Sequence, residues 1–162
     1  IKGIVGLDPS VPSAYQNTKI NTFLLKTAKF GADIGLTRFL PYLVNSSSAI
    51  KDGNLTEKEK ELYKVIFYRR TATTYMINEA KTIKANAKKL EEVDTTNVPL
   101  LFFISNGDGT GYSKEEWRSF GVGYLANKQN SEYQFLDCSH YVHNIAYQQI
   151  YEESIKFINQ LK

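Results

Sequence analysis

The sequence predicts an α/β fold: three parallel strands in one sheet, flanking helices, and a large helical insertion after the first strand. Three observations lead there. The stretch Val98-Pro99-Leu100-Leu101-Phe102-Phe103-Ile104 is apolar throughout and stops at Asn106-Gly107-Asp108-Gly109, as expected of a strand covered on both faces and ended by a turn. Two shorter runs, Ile1–Leu7 and Tyr133–Cys138, also read as strands and also end in polar loops. Helical periodicity separates all three, and parallel neighbours need such crossovers.

The first run ends at Asp8-Pro9-Ser10, where Pro9 stops the ladder and biases Asp8 away from helix. From Asn17 the pattern turns helical, with Ile20, Phe23, Leu24 and Thr27 on one face and Gly31 closing the element. Leu36 to Val44 reads as a short helix broken at Pro41, and Asn45-Ser46-Ser47-Ser48 as a polar loop. Thr56 with Glu59 forms a capping box, and the helix it opens carries Leu62, Val65 and Ile66 on one side. Between Thr71 and Leu90, Ala72, Tyr75, Met76, Ala80, Ile83 and Ala87 recur at helical spacing, with Lys81, Lys84, Lys88 and Lys89 facing away.

After the central strand, Ser113 and Glu116 make a second capping box for a helix carrying Trp117 and Phe120 and ending near Asn127. The closing helix places Ile150, Ser154, Phe157, Ile158 and Leu161 on one buried face. Neither an internal repeat nor a low-complexity tract divides the chain.

Composition narrows the function classes. At 162 residues and 42% hydrophobic content the chain can bury a core of ordinary size. Its net charge of +3 arises from residues 51–92, which hold ten Lys/Arg against seven Asp/Glu. Both signs alternate there (Glu57, Lys58, Glu59, Lys60, Glu61), which reads as a solvated helix surface and argues against nucleic-acid binding. The single Cys138 excludes an intrachain disulfide and fits a reducing compartment, so a cytoplasmic location is expected. Two histidines and one cysteine, without ligand spacing, give no basis for a metal or other cofactor. The chain opens at Ile1 within a strand pattern, with no Met, leader or membrane-length apolar run, so a fragment of a longer protein is expected.

The chemistry-bearing residues gather after the strands. Asp8 follows the first, Asp108 the second, and Ser139-His140-Tyr141-Val142-His143 the third. An acid and a histidine at the carboxyl ends of parallel strands, where open α/β sheets place their sites, are two thirds of a hydrolytic triad.

The order strand, helical insertion, strand with acid, helix, strand with His, helix resembles the C-terminal half of an α/β-hydrolase. On that resemblance residues 1–9 and 96–162 belong to the hydrolase core and residues 10–95 to a helical cap. Val98–Asp108 is similar to the family's Pro-led penultimate strand, with Asp108 nine residues after Pro99. Ser139–His143 is similar to its Gly-His-x-x-His segment, with Ser139 where Gly is usual. Ile4-Val5-Gly6-Leu7-Asp8-Pro9 is similar to the corresponding strand of pancreatic-type lipases, in which the acid follows this earlier strand.

The resemblance implies His140 as general base and Asp108 as the acid that orients it, with Asp8 as the alternative acid; the spacing from Pro99 favours Asp108. His143 is expected to pack beside the site. The nucleophile is absent: no G-x-S-x-G elbow occurs, Ser10, Ser13, Ser46, Ser47 and Ser48 lack flanking glycines, and Ser105 lies in a strand. The implied function is therefore that of a carboxylic ester hydrolase, inactive as this fragment, acting on a small-molecule ester in the intact protein. Phe39, Tyr42, Tyr75 and Met76 are candidate pocket residues in the cap. The alternatives are a non-catalytic binding protein of the same fold, a relative with an Asp nucleophile such as an epoxide hydrolase or dehalogenase, and an independent three-stranded domain. Loss of upstream strands would leave Ile1–Leu7 as an open apolar edge, so self-association is expected.

Overall fold

The fold is given by a computed structural model that describes residues 1–16, 20–93 and 97–161. Among them lies one three-stranded parallel sheet: β1 (Ile4–Leu7), β2 (Leu100–Ile104) and β3 (Glu132–Phe135), in spatial order β1-β2-β3. The register pairs Ile4 with Leu100 and Leu7 with Phe103 on one side, and Leu101 with Glu132 and Ile104 with Phe135 on the other. The α/β class and the parallel pairing expected from the sequence are both present.

All five residues of β2 are buried, and their alternation builds two cores. Leu100, Phe102 and Ile104 pack with Ala14 of α1 (Ser13–Gln16) and with Trp117 and Leu125 of α7 (Lys114–Leu125). Leu101 and Phe103 point the other way, to Val142 of α8 (Val142–Ile145) and to Ile150 and Phe157 of α9 (Tyr147–Gln160). Strand alternation thus gives the sheet a helical layer on each face, and each large side chain so buried contributes about 1.5–3 kcal/mol. Gly121 lets α7 settle onto the sheet, because a Cβ there would stand 2.7 Å from Ile104 Cδ1.

The chain separates into two compact units, one of Ile1–Gln16 with Ala87–Lys162 and one of Asn17–Asn86. The divisions thus fall at 16/17 and 86/87, where the sequence suggested 9/10 and 95/96; residues 95 and 96 lie outside the described ones, as does the expected helix start at Asn17. The second unit is helical. It contains α2 (Thr22–Asp33), a 3-10 turn (Leu36–Phe39), α3 (Pro41–Asn45), α4 (Ser48–Lys51), α5 (Glu57–Arg70) and the start of α6 (Thr74–Val93).

Both capping boxes form as expected, Thr56 with Glu59 and Ser113 with Glu116. Pro41 opens α3 at its first turn, where its missing N–H costs nothing. Three expectations are corrected. Gly31 lies inside α2, which ends instead before Gly35 in the left-handed conformation (φ 79°). Ile77, not Tyr75 or Met76, is the buried side chain at the start of α6, where Tyr75 is 85% exposed. Ala72 stands before α6 in a turn with φ 56°. Among the described residues, no helix is long and apolar enough to cross a membrane.

Candidate functional site

The carboxyl ends of the three strands converge on Asp8. It follows β1 directly, and its backbone is left-handed (φ 50°), a conformation Asp tolerates better than most residues. The Asp8 N–H donates to Phe103 O at 2.7 Å, which continues the β1–β2 ladder by one step. The side chain is then turned inward and buried, 2% exposed.

Donors surround this carboxylate. Its Oδ1 accepts from the Ser105 backbone N–H at 2.6 Å and from the Trp117 indole Nε1–H at 2.9 Å. Its Oδ2 lies 2.6 Å from His140 Nδ1. Burial pushes the Asp8 carboxyl upward, but the bonds from His140, from Ser105 and from Trp117 outweigh it and hold it below the ordinary value. Asp8 is therefore an ionised acceptor, and Nδ1 of His140 must be the donor. This leaves Nε2 as the nitrogen that carries the lone pair whenever the ring is neutral; no protein partner for it occurs among the described residues, and the side chain is 29% exposed.

Other residues set the imidazole's position. The His140 N–H donates to Asp108 O at 2.9 Å, and the Asn106 N–H donates to Cys138 O at 3.0 Å, tying the loop after β2 to the loop after β3. The ring sits edge-on to Trp117, 5.5 Å between centroids, and edge-on to Tyr141 at 5.3 Å. Gly107, with φ 85°, is forced by this packing, since a Cβ would come within 3.0 Å of Trp117 Cβ. Arg118 donates to Ser105 O and to Leu136 O, both at 3.1 Å, and its guanidinium lies 4.3 Å from the Phe135 ring centre. One residue of α7 thereby ties together the ends of β2 and β3.

Of the two acids proposed from sequence, the structure gives the imidazole to Asp8 and not to Asp108. The Asp108 side chain is exposed, and its Oδ2 accepts from Asn106 Nδ2 at 3.1 Å while its own N–H donates to Asn106 Oδ1 at 3.0 Å. Turn chemistry has claimed this carboxylate, and only its backbone carbonyl meets His140. His143 is exposed, its ring edge-on to Tyr141 at 6.0 Å. Cys138 is half-buried beside the core on the α9 face.

Sequence reasoning missed Ser105, Trp117 and Arg118 as parts of this site. Ser105 is fully buried, and Gly107 N–H donates to its Oγ at 3.0 Å. A signal for Trp117 existed: it follows the Ser113 cap on the first turn of a helix facing the strand ends, and a buried indole N–H needs an acceptor. No group of metal-ligating side chains occurs among the described residues.

No family model matches the chain, and no solved structure matches it. It is similar to the "Uncharacterized protein YbdG" of Bacillus subtilis (strain 168), 26% identical across the whole of this chain. The chain spans 52% of the length of that relative.

Proposed function

We propose that Asp8 and His140 are the acid and base of a serine hydrolase of the α/β-hydrolase kind, acting on carboxylic esters, with its nucleophile supplied by sequence outside this chain. One observation carries the proposal: a buried carboxylate held ionised on Nδ1 of an imidazole whose Nε2 has no protein partner among the described residues. That is the acid–base half of a triad, and both residues follow parallel strands at the same end of the sheet. The match covers 52% of the relative, which leaves room for a further half.

In this scheme Nε2 removes the serine proton as the hydroxyl oxygen attacks the ester carbonyl carbon. Asp8 stabilises the imidazolium so formed, and the proton passes to the departing alcohol. Water then repeats the sequence on the acyl-enzyme. Asp8 never needs to accept the proton; its task is to hold the tautomer and the charge. A cytoplasmic location belongs to the same proposal and is supported by the single Cys138.

The test uses the polypeptide extended upstream to its natural start. It is expected to hydrolyse short p-nitrophenyl esters and to be labelled on a serine by a fluorophosphonate. His140→Ala is expected to lower turnover by at least about a thousandfold. An upstream elbow bearing Asp, Gly or Ala, or absence of labelling in the folded protein, ends the proposal.

A further inference from the structure

The helical unit holds a cation-lined cavity that the catalytic scheme does not use. Arg38 of the 3-10 turn and Lys64, Val65, Tyr68 and Arg69 of α5 line a space of about 430 Å³. None of the three cations makes an ion pair among the described residues. Glu57 feels the Lys64 charge but pairs directly with Lys60 at 2.7 Å. The sequence leaves this region without counter-charge: no Asp or Glu occurs between Glu61 and Glu79, or between Asp33 and Asp52. Residues 20–86 hold eleven Lys/Arg against six Asp/Glu, a net of +5, against +3 for the chain.

Exposed apolar side chains stand next to the lining residues along the same elements. Val65, part of the cavity wall, is itself 56% exposed, and Leu62 and Ile66 beside it on α5 are 60% and 50% exposed. Phe39, next to Arg38, is 81% exposed. A cation-lined recess whose lining residues adjoin exposed aromatic and aliphatic side chains along the chain matches a surface with phosphate at one depth and acyl chain just below it. A free anion in water accounts for the cations but leaves the neighbouring exposed apolar side chains unexplained.

We propose that this unit docks on an anionic phospholipid bilayer, with Arg38, Lys64 and Arg69 taking a headgroup phosphate and Phe39, Leu62 and Val65 entering the interface. The proposal is independent of the catalytic one, because it uses no residue of the Asp8–His140 site.

Co-sedimentation of the full chain with phosphatidylcholine vesicles, with and without 30% phosphatidylglycerol as a rough working fraction, tests it. Binding is expected only to the anionic vesicles and is expected to weaken with added salt. Removing all three charges with Arg38→Gln, Lys64→Gln and Arg69→Gln is expected to weaken it on the order of 100-fold. Phe39→Ser is expected to weaken it without altering the salt dependence. The charge-matched control Lys51→Gln, Lys81→Gln, Lys84→Gln is expected to bind within about threefold of the parent, and circular dichroism checks the fold of each variant. Four results overturn the proposal: equal binding to neutral vesicles; equal loss in both triple variants, which marks a diffuse charge effect; inorganic phosphate competing as well as vesicles do, which marks a free-anion site; or no vesicle binding by a folded protein.

Discussion

The Trp117 indole and the His140 imidazole stand edge to face, planes 89° apart, and bond to different oxygens of the Asp8 carboxylate, at 2.9 and 2.6 Å. The carboxylate is thereby braced from both sides. It cannot rotate toward either ring without lengthening its bond to the other. The ladder bond at the Asp8 N–H fixes its backbone, so the imidazole inherits its orientation from the end of β1 through one side chain.

Trp117→Phe keeps most of the ring packing and removes only the N–H donor to Oδ1. A hydrogen bond to an ionised partner is worth about 1.5–3 kcal/mol, so unfolding in urea is expected to lose about that much. Circular dichroism must follow the transition, since Trp117 is the sole tryptophan. A midpoint unchanged from the parent means the indole bond contributes nothing.

On the proposed hydrolase reading, turnover of the polypeptide extended upstream is expected to separate the two acids. Asp8→Asn puts an amide against Nδ1, favours the wrong tautomer, and is expected to cut turnover by about 10⁴-fold. Asp108→Asn keeps the turn, because Asn makes the same Asx contacts, and is expected to stay within about threefold. The reverse ranking ends the assignment of Asp8 as the acid.

How much of this was legible beforehand follows from which forces act locally. The apolar run of β2, the two capping boxes and the position of His140 after a strand are properties of short windows, and each is present in the fold. The choice between Asp8 and Asp108 was not local. It depends on the 2.6 Å approach of residues 132 positions apart, and on Asn106 capturing the Asp108 carboxylate, which no count from Pro99 contains. The apolar stripe of α5 was legible as a stripe, but periodicity cannot say what covers it: Leu62, Val65 and Ile66 are exposed.

Acid should report on Asp8 through stability. Its folded value is held below the ordinary 3.8, so its ionised form stabilises the fold fully above that value. The contribution is lost as pH falls through the depressed folded value. Urea midpoints for the parent and for Asp8→Asn, measured from about pH 5 downward, below the range in which ordinary histidines titrate, are expected to converge as pH falls below about 4. The carboxyls of Glu57, Glu59, Glu116, Asp137 and Glu153 are lowered too, but they titrate in both proteins and cancel in the difference. A difference that stays constant into strong acid removes the claim that Asp8 is held ionised.

The edge of β1 carries the last prediction. Among the described residues β1 pairs with β2 alone, and Ile4 and Leu7 on it are 40% and 43% exposed. A strand with one side of its ladder open and apolar side chains beside it offers a template to another strand, and natural edges usually carry a Lys or Pro to prevent this. None lies within Ile4–Leu7; Lys2 and Pro9 flank it. Association through this edge is therefore expected, rising with concentration in light scattering, and Ile4→Lys is expected to suppress it by placing a charge where a second chain would pair. Ile4 is not a hydrogen-bond partner of the Asp8 carboxylate, whose bonds go to Ser105, Trp117 and His140, and the substitution is expected to leave the acid-dependence of stability as it was. Scattering that reports a monomer at the highest soluble concentration, or association that Ile4→Lys does not change, would place the contact elsewhere on the molecule.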